Sequence, residues 1–284
     1  RDAFGEKPLY FASSAGDRNL VRAFSSSHAG LVALVHEMPE LLPQKPLHGI
    51  SAWVQHGFSN MSPMWPRVSD LHAGLRCQLT ATTIQQHPIA GSVLQLTSLQ
   101  RDRELNADTA ERLVDLSVRA RTQADVPLGV FLSGGIDSSL VAMLAKRAIG
   151  ECRTFCVRMP DPRFDESEAA SQVAQVIGTT HQTLDCSARP AEDLELLICQ
   201  MGLPFGDSSL LPSYWVNRAA SQFIKVALGG DGGDELFGGY QRYTAVPWLA
   251  RLGPVLRRLP EDLLDATNPK SRRAKLKRLA LAAL

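Results

Sequence analysis

Apolar positions along this chain follow two regimes. Residues 1 to about 98 carry short alternating runs such as PLYFA (8–12) and VLQL (93–96), broken by Gly, Ser and Pro. Alternation with such punctuation predicts a mostly β region, with one helix near Gly30 to Leu42. From Asn106 the spacing becomes helical, and Leu113, Leu116 and Val118 are set to form the apolar stripe of an amphipathic helix. The boundary falls near 98 to 106, where QRDREL reads as a polar linker.

That helix leads into VPLGVFL (126–132), an unbroken apolar run that reads as a buried strand, and SSLVAMLAKRA (138–148) then reads as a helix. Arg153 to Arg158 predicts a second strand. A helix from Asp165 to Ile177 follows, with Ala169, Val173, Val176 and Ile177 on one face and Asp165 with Glu168 as a capping pair. A strand near His181 to Leu184, helices near Ala191 to Met201 and Leu211 to Phe223, and a strand Ile224 to Leu228 complete the alternation. Strands alternating with helices imply an α/β fold, a mainly parallel sheet with helices on its faces. Ligands of such sheets bind beyond the carboxyl ends of strands.

At 284 residues the chain has room for one large domain or two smaller ones. Thirty basic residues against twenty-nine acidic give a net charge of +1, so no global field selects nucleic acid, membrane or an acidic partner. The basic tail KSRRAKLKR (270–278) has leucines interleaved and reads as a solvated helix face. Five cysteines without a C-x-x-C pattern argue against a disulfide framework and for reduced thiols, as in the cytoplasm. No run approaches the roughly 20 apolar residues of a membrane span. A start at Arg1 without Met implies a true N-terminus elsewhere.

Chemistry concentrates at two glycine turns. SGGIDSS (133–139) sits between the strand at 126–132 and the helix after it. Glycines at such a turn let backbone N–H groups approach an anion, and the helix N-terminus adds its partial positive charge. Asp137 beside bound phosphates requires a cation between them, which points to Mg²⁺. The second turn, GGDGGDELFGGYQRY (229–243), follows the strand IKVAL and repeats the arrangement. Its acids, Asp231, Asp234 and Glu235, do not have calcium-loop spacing, and so many glycines among them bring backbone and carboxylates together on one polar ligand.

SGGIDSS resembles the PP-loop, SGGxDS, of ATP pyrophosphatases, which cleave ATP between the α and β phosphates. Together with TFCVRMPDPRFDESEAASQVAQVIGTTH, LPFGDSSLLPSYW and ALGGDGGDELFGGYQRY, in this order, it resembles the synthetase domain of glutamine-hydrolysing asparagine synthetases. RDAFGEKPLY at the start is similar to the RDxFGxKPLYY element of the amidotransferase domain that precedes it. The resemblance implies a Rossmann-like parallel sheet of the adenine nucleotide α-hydrolase type at 106–284. It implies before it, at 1–98, the mostly β C-terminal part of an N-terminal-nucleophile glutamine amidotransferase domain. It also implies the reaction: ATP adenylates the side-chain carboxylate of aspartate, pyrophosphate leaves, and ammonia from glutamine converts the acyl adenylate to asparagine and AMP.

By position in that resemblance, Ser133, Gly134, Gly135, Ser138 and Ser139 hold the pyrophosphate, and Asp137 and Asp234 bind Mg²⁺. Phe131 and Val157 stand where the family places apolar residues against adenine, with strand core packing as the competing reading. Gly229 and Gly230 correspond to a Ser-Gly pair near the nucleotide, so a hydroxyl contact is lost at Gly229. Asp231 takes a catalytic role, positioning the reactants or accepting a proton. Asp207 faces the substrate or caps a helix, and His181 is structural. The implied partners are ATP, aspartate and glutamine or its ammonia, in a cytoplasmic ligase, with a homodimer open.

The chain departs from the family at both ends. The nucleophilic Cys and the glutamine-binding part would precede Arg1, FSSSHAGLVAL replaces the FASExKAL segment, and the DKxSM-like and ARxPFLD-like stretches are missing at the other end. A fragment or split-gene product is expected. A relative that amidates or cyclises another carboxylate, such as a β-lactam-forming synthetase, is the alternative enzyme. A catalytically incomplete remnant is the alternative of another class.

Overall fold

The computed structural model describes residues 1–13, 21–37, 68–79, 84–89, 106–159, 161–202, 205–240, 243, 244, 247 and 251. In chain order these hold β1 (Tyr10–Ser13), β2 (Val21–Ser25), α1 (His28–His36), β3 (Val68–Asp70), β4 (Leu75–Leu79), β5 (Ile84–Pro88), α2 (Ala107–Arg121) and β6 (Leu128–Phe131). There follow α3 (Ile136–Ile149), β7 (Arg153–Arg158), α4 (Ser167–Ile177), β8 (Thr180–Asp185), α5 (Pro190–Met201), α6 (Leu210–Ala220), β9 (Val226–Leu228) and α7 (Gly233–Phe237). The run 93–96, the linker 100–105 and the basic tail 270–278 lie outside the described residues. No described helix is long and apolar enough to cross a membrane.

The elements form two compact units, neither continuous in sequence. One holds Arg1–Ser117, Cys156–Glu166 and Thr183–Lys225; the other holds Val118–Phe155, Ser167–Gln182 and the chain from Val226 onward. In the first unit β1 pairs antiparallel with both β2 and β3, and β4 pairs antiparallel with β5. Ala12, Ala23, Leu31 and Val68 form a small buried cluster with Tyr10 against it.

Two polar centres hold the helices of this unit. His28, buried at the start of α1, donates from Nδ1–H to the Gly202 carbonyl at 3.1 Å, and Tyr10 meets its ring edge-on. Gly202 ends α5 in the left-handed conformation, φ +70°, and a β-carbon there would lie 2.7 Å from the Cα of Ala29. Only glycine satisfies both demands. Asp193, buried in α5, accepts bonds from the Arg189 backbone N–H at 3.0 Å, the Trp215 indole at 2.7 Å and the Arg218 guanidinium at 2.8 Å. Arg218 also donates to the Ser187 carbonyl. Burial pushes the Asp193 carboxyl up, but these bonds and the charge of Arg218 more than offset it, holding it below the usual carboxylate range.

A four-stranded sheet has the order β8-β7-β6-β9. β6 runs parallel to β7 and to β9, so each joining segment must cross over, and helices provide the length. Gly129 and Val130 of β6 are buried, as the unbroken apolar run predicts. Beyond β6 the Leu132 N–H still bonds the Phe155 carbonyl at 2.9 Å, which carries the ladder up to the first glycine turn.

Four local expectations need correction. In α2 Leu113 and Leu116 are exposed, while Val118 is buried and Val114 and Asp115 are half-buried, so the inward stripe is displaced by a residue. In α4, which begins at Ser167, the buried residues are Ser167, Ala170 and Ala174; Ala169 and Val176 are exposed. Close approach accounts for Ala170: a β-carbon on Gly134 would lie 2.9 Å from the Ala169 carbonyl carbon and 3.0 Å from the Ala170 nitrogen, so a small residue faces inward there. Asp207 does not cap α6, whose N-cap is Ser209; its carboxylate accepts from the Ser209 N–H and hydroxyl, both at 2.8 Å, in an Asx turn. Ile224 precedes β9 rather than opening it, bonding back to the Ala220 carbonyl.

The His28 contact makes a pH prediction. Burial lowers the pKa of His28, and the bond to the Gly202 carbonyl only partly opposes that. A folded pKa below the unfolded value of about 6.5 means that the stabilisation is complete above pH 6.5 and is lost as pH falls through that value toward the folded pKa. Urea midpoints should fall between pH 7 and pH 5 in the parent chain and change less in His28→Gln. Equal slopes in the two proteins would discard the assignment.

Candidate active site at two glycine turns

The register of β6 and β9 brings the two turns together. Leu128 pairs with Val226, Gly129 with Ala227 and Val130 with Leu228, so the parallel strands end at the same level and both turns leave at their carboxyl ends. There the backbones touch: a β-carbon on Gly230 would lie 2.8 Å from the Ser138 nitrogen and 3.1 Å from the Asp137 carbonyl carbon. On its other side the first turn meets α4 through Gly134, whose φ of +83° excludes most other residues.

The first turn is held by its own hydroxyls. Ser138, buried, accepts from the Ser133 N–H at 3.2 Å and donates to the Gly135 carbonyl at 3.2 Å. With its proton so used, it accepts from the Ser133 hydroxyl at 2.9 Å, and the Gly135 N–H reaches Ser133 Oγ at 3.3 Å. Ser139 donates to the Gly135 carbonyl at 2.6 Å. All three serines expected at a pyrophosphate thus bond within the turn. What the turn leaves open is backbone: Gly135 caps α3 without a side-chain bond, and the Ile136, Asp137 and Ser138 N–H groups meet no acceptor among the described residues. Three such donors at the start of a 14-residue helix suit an anion.

The carboxylates gather on the second turn. Asp137 lies against Gly233, next to Asp234; Asp234 turns toward Gly239 and Asp231 toward Gly229. None of the three has a hydrogen-bond or ion-pair partner among the described residues. Half-buried and without a partner, Asp137 and Asp234 are residues that would hold a Mg²⁺ ion together with phosphate oxygens and water. Among the described residues no group of three or more His, Cys, Asp or Glu side chains could hold a metal ion. The turn is closed by Gly233 N–H to the Gly230 carbonyl at 3.1 Å and by Tyr240 OH donating to Glu235 at 2.6 Å.

Phe131 ends β6, half-buried below the turn, while Val157 is buried in β7. His181 joins a polar cluster with Thr154 and Thr179: the Thr154 hydroxyl lies 2.9 Å from Thr179 Oγ1 and 3.0 Å from His181 Nδ1, and burial lowers the His181 pKa. Four of the thiols are poor nucleophiles. Burial pushes Cys77, Cys152, Cys156 and Cys186 up, Cys156 to about 11, with Glu166 and Asp165 adding to the last. Sequence reasoning missed the scaffolding role of Ser138 and the part of Gly233; for the latter the available signal was a glycine at a helix start, where no turn demands one.

Ser138→Ala removes a buried hydroxyl that joins three groups of the turn. Triphosphate binding by calorimetry should weaken by about tenfold, the equivalent of one to two net hydrogen bonds. Unchanged affinity would show that the turn holds its shape without that hydroxyl.

Comparison with known proteins bears on the same segments. A family model described as asparagine synthase matches residues 109–283. A Mycobacterium tuberculosis protein, provisionally named as a glutamine-hydrolysing asparagine synthetase, is 29% identical over 288 residues, covering 93% of this chain and 42% of that protein. Bacillus subtilis glutamine-hydrolysing asparagine synthetase 1 is 36% identical over 130 residues, 45% of this chain and 20% of that protein. The chain thus spans less than half the length of the curated relatives it matches. Among solved structures, an NH3-dependent NAD synthetase from Campylobacter jejuni overlaps 48% of this chain and 61% of that one at 17% identity, TM-score 0.32.

Proposed function

Since the chain belongs to the asparagine synthase family, we propose that it carries the ATP-dependent half of a glutamine-hydrolysing asparagine synthetase, residues 106–284, preceded at 1–98 by the tail of its glutamine amidotransferase domain. The observation that carries this reading is the meeting of the two turns at the carboxyl ends of β6 and β9. Open N–H donors at the start of α3 and the unneutralised pair Asp137 and Asp234 lie on the two sides of that junction.

The chemistry asks for this pairing. An oxygen of the aspartate side-chain carboxylate attacks the α-phosphorus of ATP, and the bond from that phosphorus to the β-phosphate oxygen breaks, releasing pyrophosphate. The N–H groups of Ile136, Asp137 and Ser138 receive the charge that grows on the leaving group, in a position fixed before the reaction. Asp137 and Asp234 would hold a Mg²⁺ ion, which would supply further neutralisation of that charge. Ammonia then attacks the acyl carbon, AMP leaves, and the nitrogen gives up a proton, for which exposed Asp231 is the acceptor at hand. By position in the family Phe131 and Val157 are the apolar residues set against adenine, and a cytoplasmic setting suits ATP, aspartate and the reduced thiols.

Aspartate-dependent exchange of labelled pyrophosphate into ATP, with Mg²⁺ present and glutamine absent, tests it on this chain. Exchange is expected with aspartate and not without it; exchange driven by another carboxylate would name a different acceptor, and nucleotide binding without any exchange would reject adenylation by this chain. Asp137→Asn and Asp234→Asn should each lower exchange by about a hundredfold or more, the scale of losing one electrostatic stabiliser. Both should leave Tm unchanged, since each carboxylate lies on a turn outside the core. Activity retained in both variants would remove the cation from its assigned place.

A further inference from the structure

The glycines of the second turn separate by what a β-carbon on each would meet. On Gly232 it meets nothing within 4 Å, and the left-handed φ of +90° accounts for that glycine. On Gly230 it meets backbone of the first turn. Gly229, Gly233 and Gly239 belong to neither class. None of the three has a left-handed φ, and at each the place of the missing β-carbon is taken by a carboxylate. At Gly229 it would lie 2.6 Å from Asp231 Oδ2. At Gly233 it would lie 2.5 Å from Asp137 Cγ and 2.8 Å from both oxygens, and at Gly239 it would overlap Asp234 Oδ1.

Gly233 is the clearest case. It opens α7, where backbone preference favours alanine, and no turn or backbone neighbour requires a glycine. We propose that Gly233 and Gly239, with Gly229, are positioning residues whose absent side chains form seats for the carboxylates of Asp137, Asp234 and Asp231. The proposal rests on the reading of Asp137 and Asp234 as the cation-binding pair.

The consequence is a division between stability and function. An alanine at 233 collides only with the end of a rotatable side chain, and one at 239 collides with such an end and comes to 3.3 Å from the Asp234 Cα, so the fold absorbs each chiefly by turning one carboxylate to another rotamer. Mg²⁺ does not absorb it, because its oxygen ligands must sit near octahedral positions at about 2.1 Å. An alanine at Gly230, in contrast, collides with backbone and cannot be accommodated without moving a turn.

The test uses the 284-residue chain, with ATP binding followed by calorimetry across a Mg²⁺ titration and Tm measured without ligand. Gly233→Ala and Gly239→Ala should keep or raise Tm while moving the Mg²⁺ midpoint upward by about tenfold or more, the scale seen when a group that orients metal ligands is changed. ATP binding without Mg²⁺ should stay as in the parent. In an Asp137→Asn background Gly233→Ala should add nothing, as expected of a residue acting through that carboxylate. Parental Mg²⁺ midpoints in both alanine variants would overturn the seats alone, and so would a Tm that falls together with binding, as in Gly230→Ala. Parental ATP binding that ignores Mg²⁺ would overturn the cation reading itself, and the seats with it.

Discussion

The contact between the Gly230 backbone and the backbone of Asp137 and Ser138 is the constraint on which the site depends. Two parallel strands in direct register end at one level, but strands alone would leave their turns separated by side chains. Glycine at 230 removes the intervening atoms, so that an oxygen-rich turn and a donor-rich turn share one edge. Gly134 does the same toward α4, whose inward residues are correspondingly small: Ala170 and Ala174 are buried completely or nearly so. The first turn is therefore clamped between a helix and the second turn, and tolerance for added volume is low on both sides.

Rigidity in this region comes from satisfied polar groups rather than apolar bulk. Ser133, Ser138 and Ser139 bond within the first turn, which orders the loop and leaves the helix-start N–H groups to an incoming anion. That is a preorganised arrangement, since the donors need not be reoriented when a charged group arrives. In the first unit the same principle appears at Asp193, whose two oxygens tie the start of α5 to α6, and at His28 on the Gly202 carbonyl. Buried polar groups that are fully partnered restrict the alternatives open to a chain more sharply than apolar contacts do.

The carboxylates present the opposite case. Asp137, Asp231 and Asp234 find no partner among the described residues, so no side-chain cation there offsets their charge. Such an arrangement is sustained by solvent or by a cation, and the glycines beside them allow the acids to approach backbone closely. Family membership and this electrostatic arrangement support the same chemistry from independent directions, one through the order of motifs from 109 to 283 and the other through the charges that remain unneutralised.

Much of this was legible in the chain before any coordinates. VPLGVFL announces a buried strand by unbroken apolar character and IKVAL announces the strand of which β9 is the end, the glycine turns follow each directly, and their residue types already point to phosphate and a hard cation. Those are local signals, in which neighbours in sequence suffice. The face of α4 was not legible, because hydropathy weighs Val176 above Ala170 whereas close approach of Gly134 to the Ala169–Ala170 backbone selects a small residue there. Nor were the inward residues of α2, the Asx turn of Asp207 or the pairing of His28 with Gly202, each decided by what a neighbouring element needs. The sequence by itself determined the order of strands, turns and acids. The tertiary structure decided which glycine meets which carboxylate, because that depends on the register of β6 with β9, a contact between residues about a hundred positions apart that no local pattern encodes.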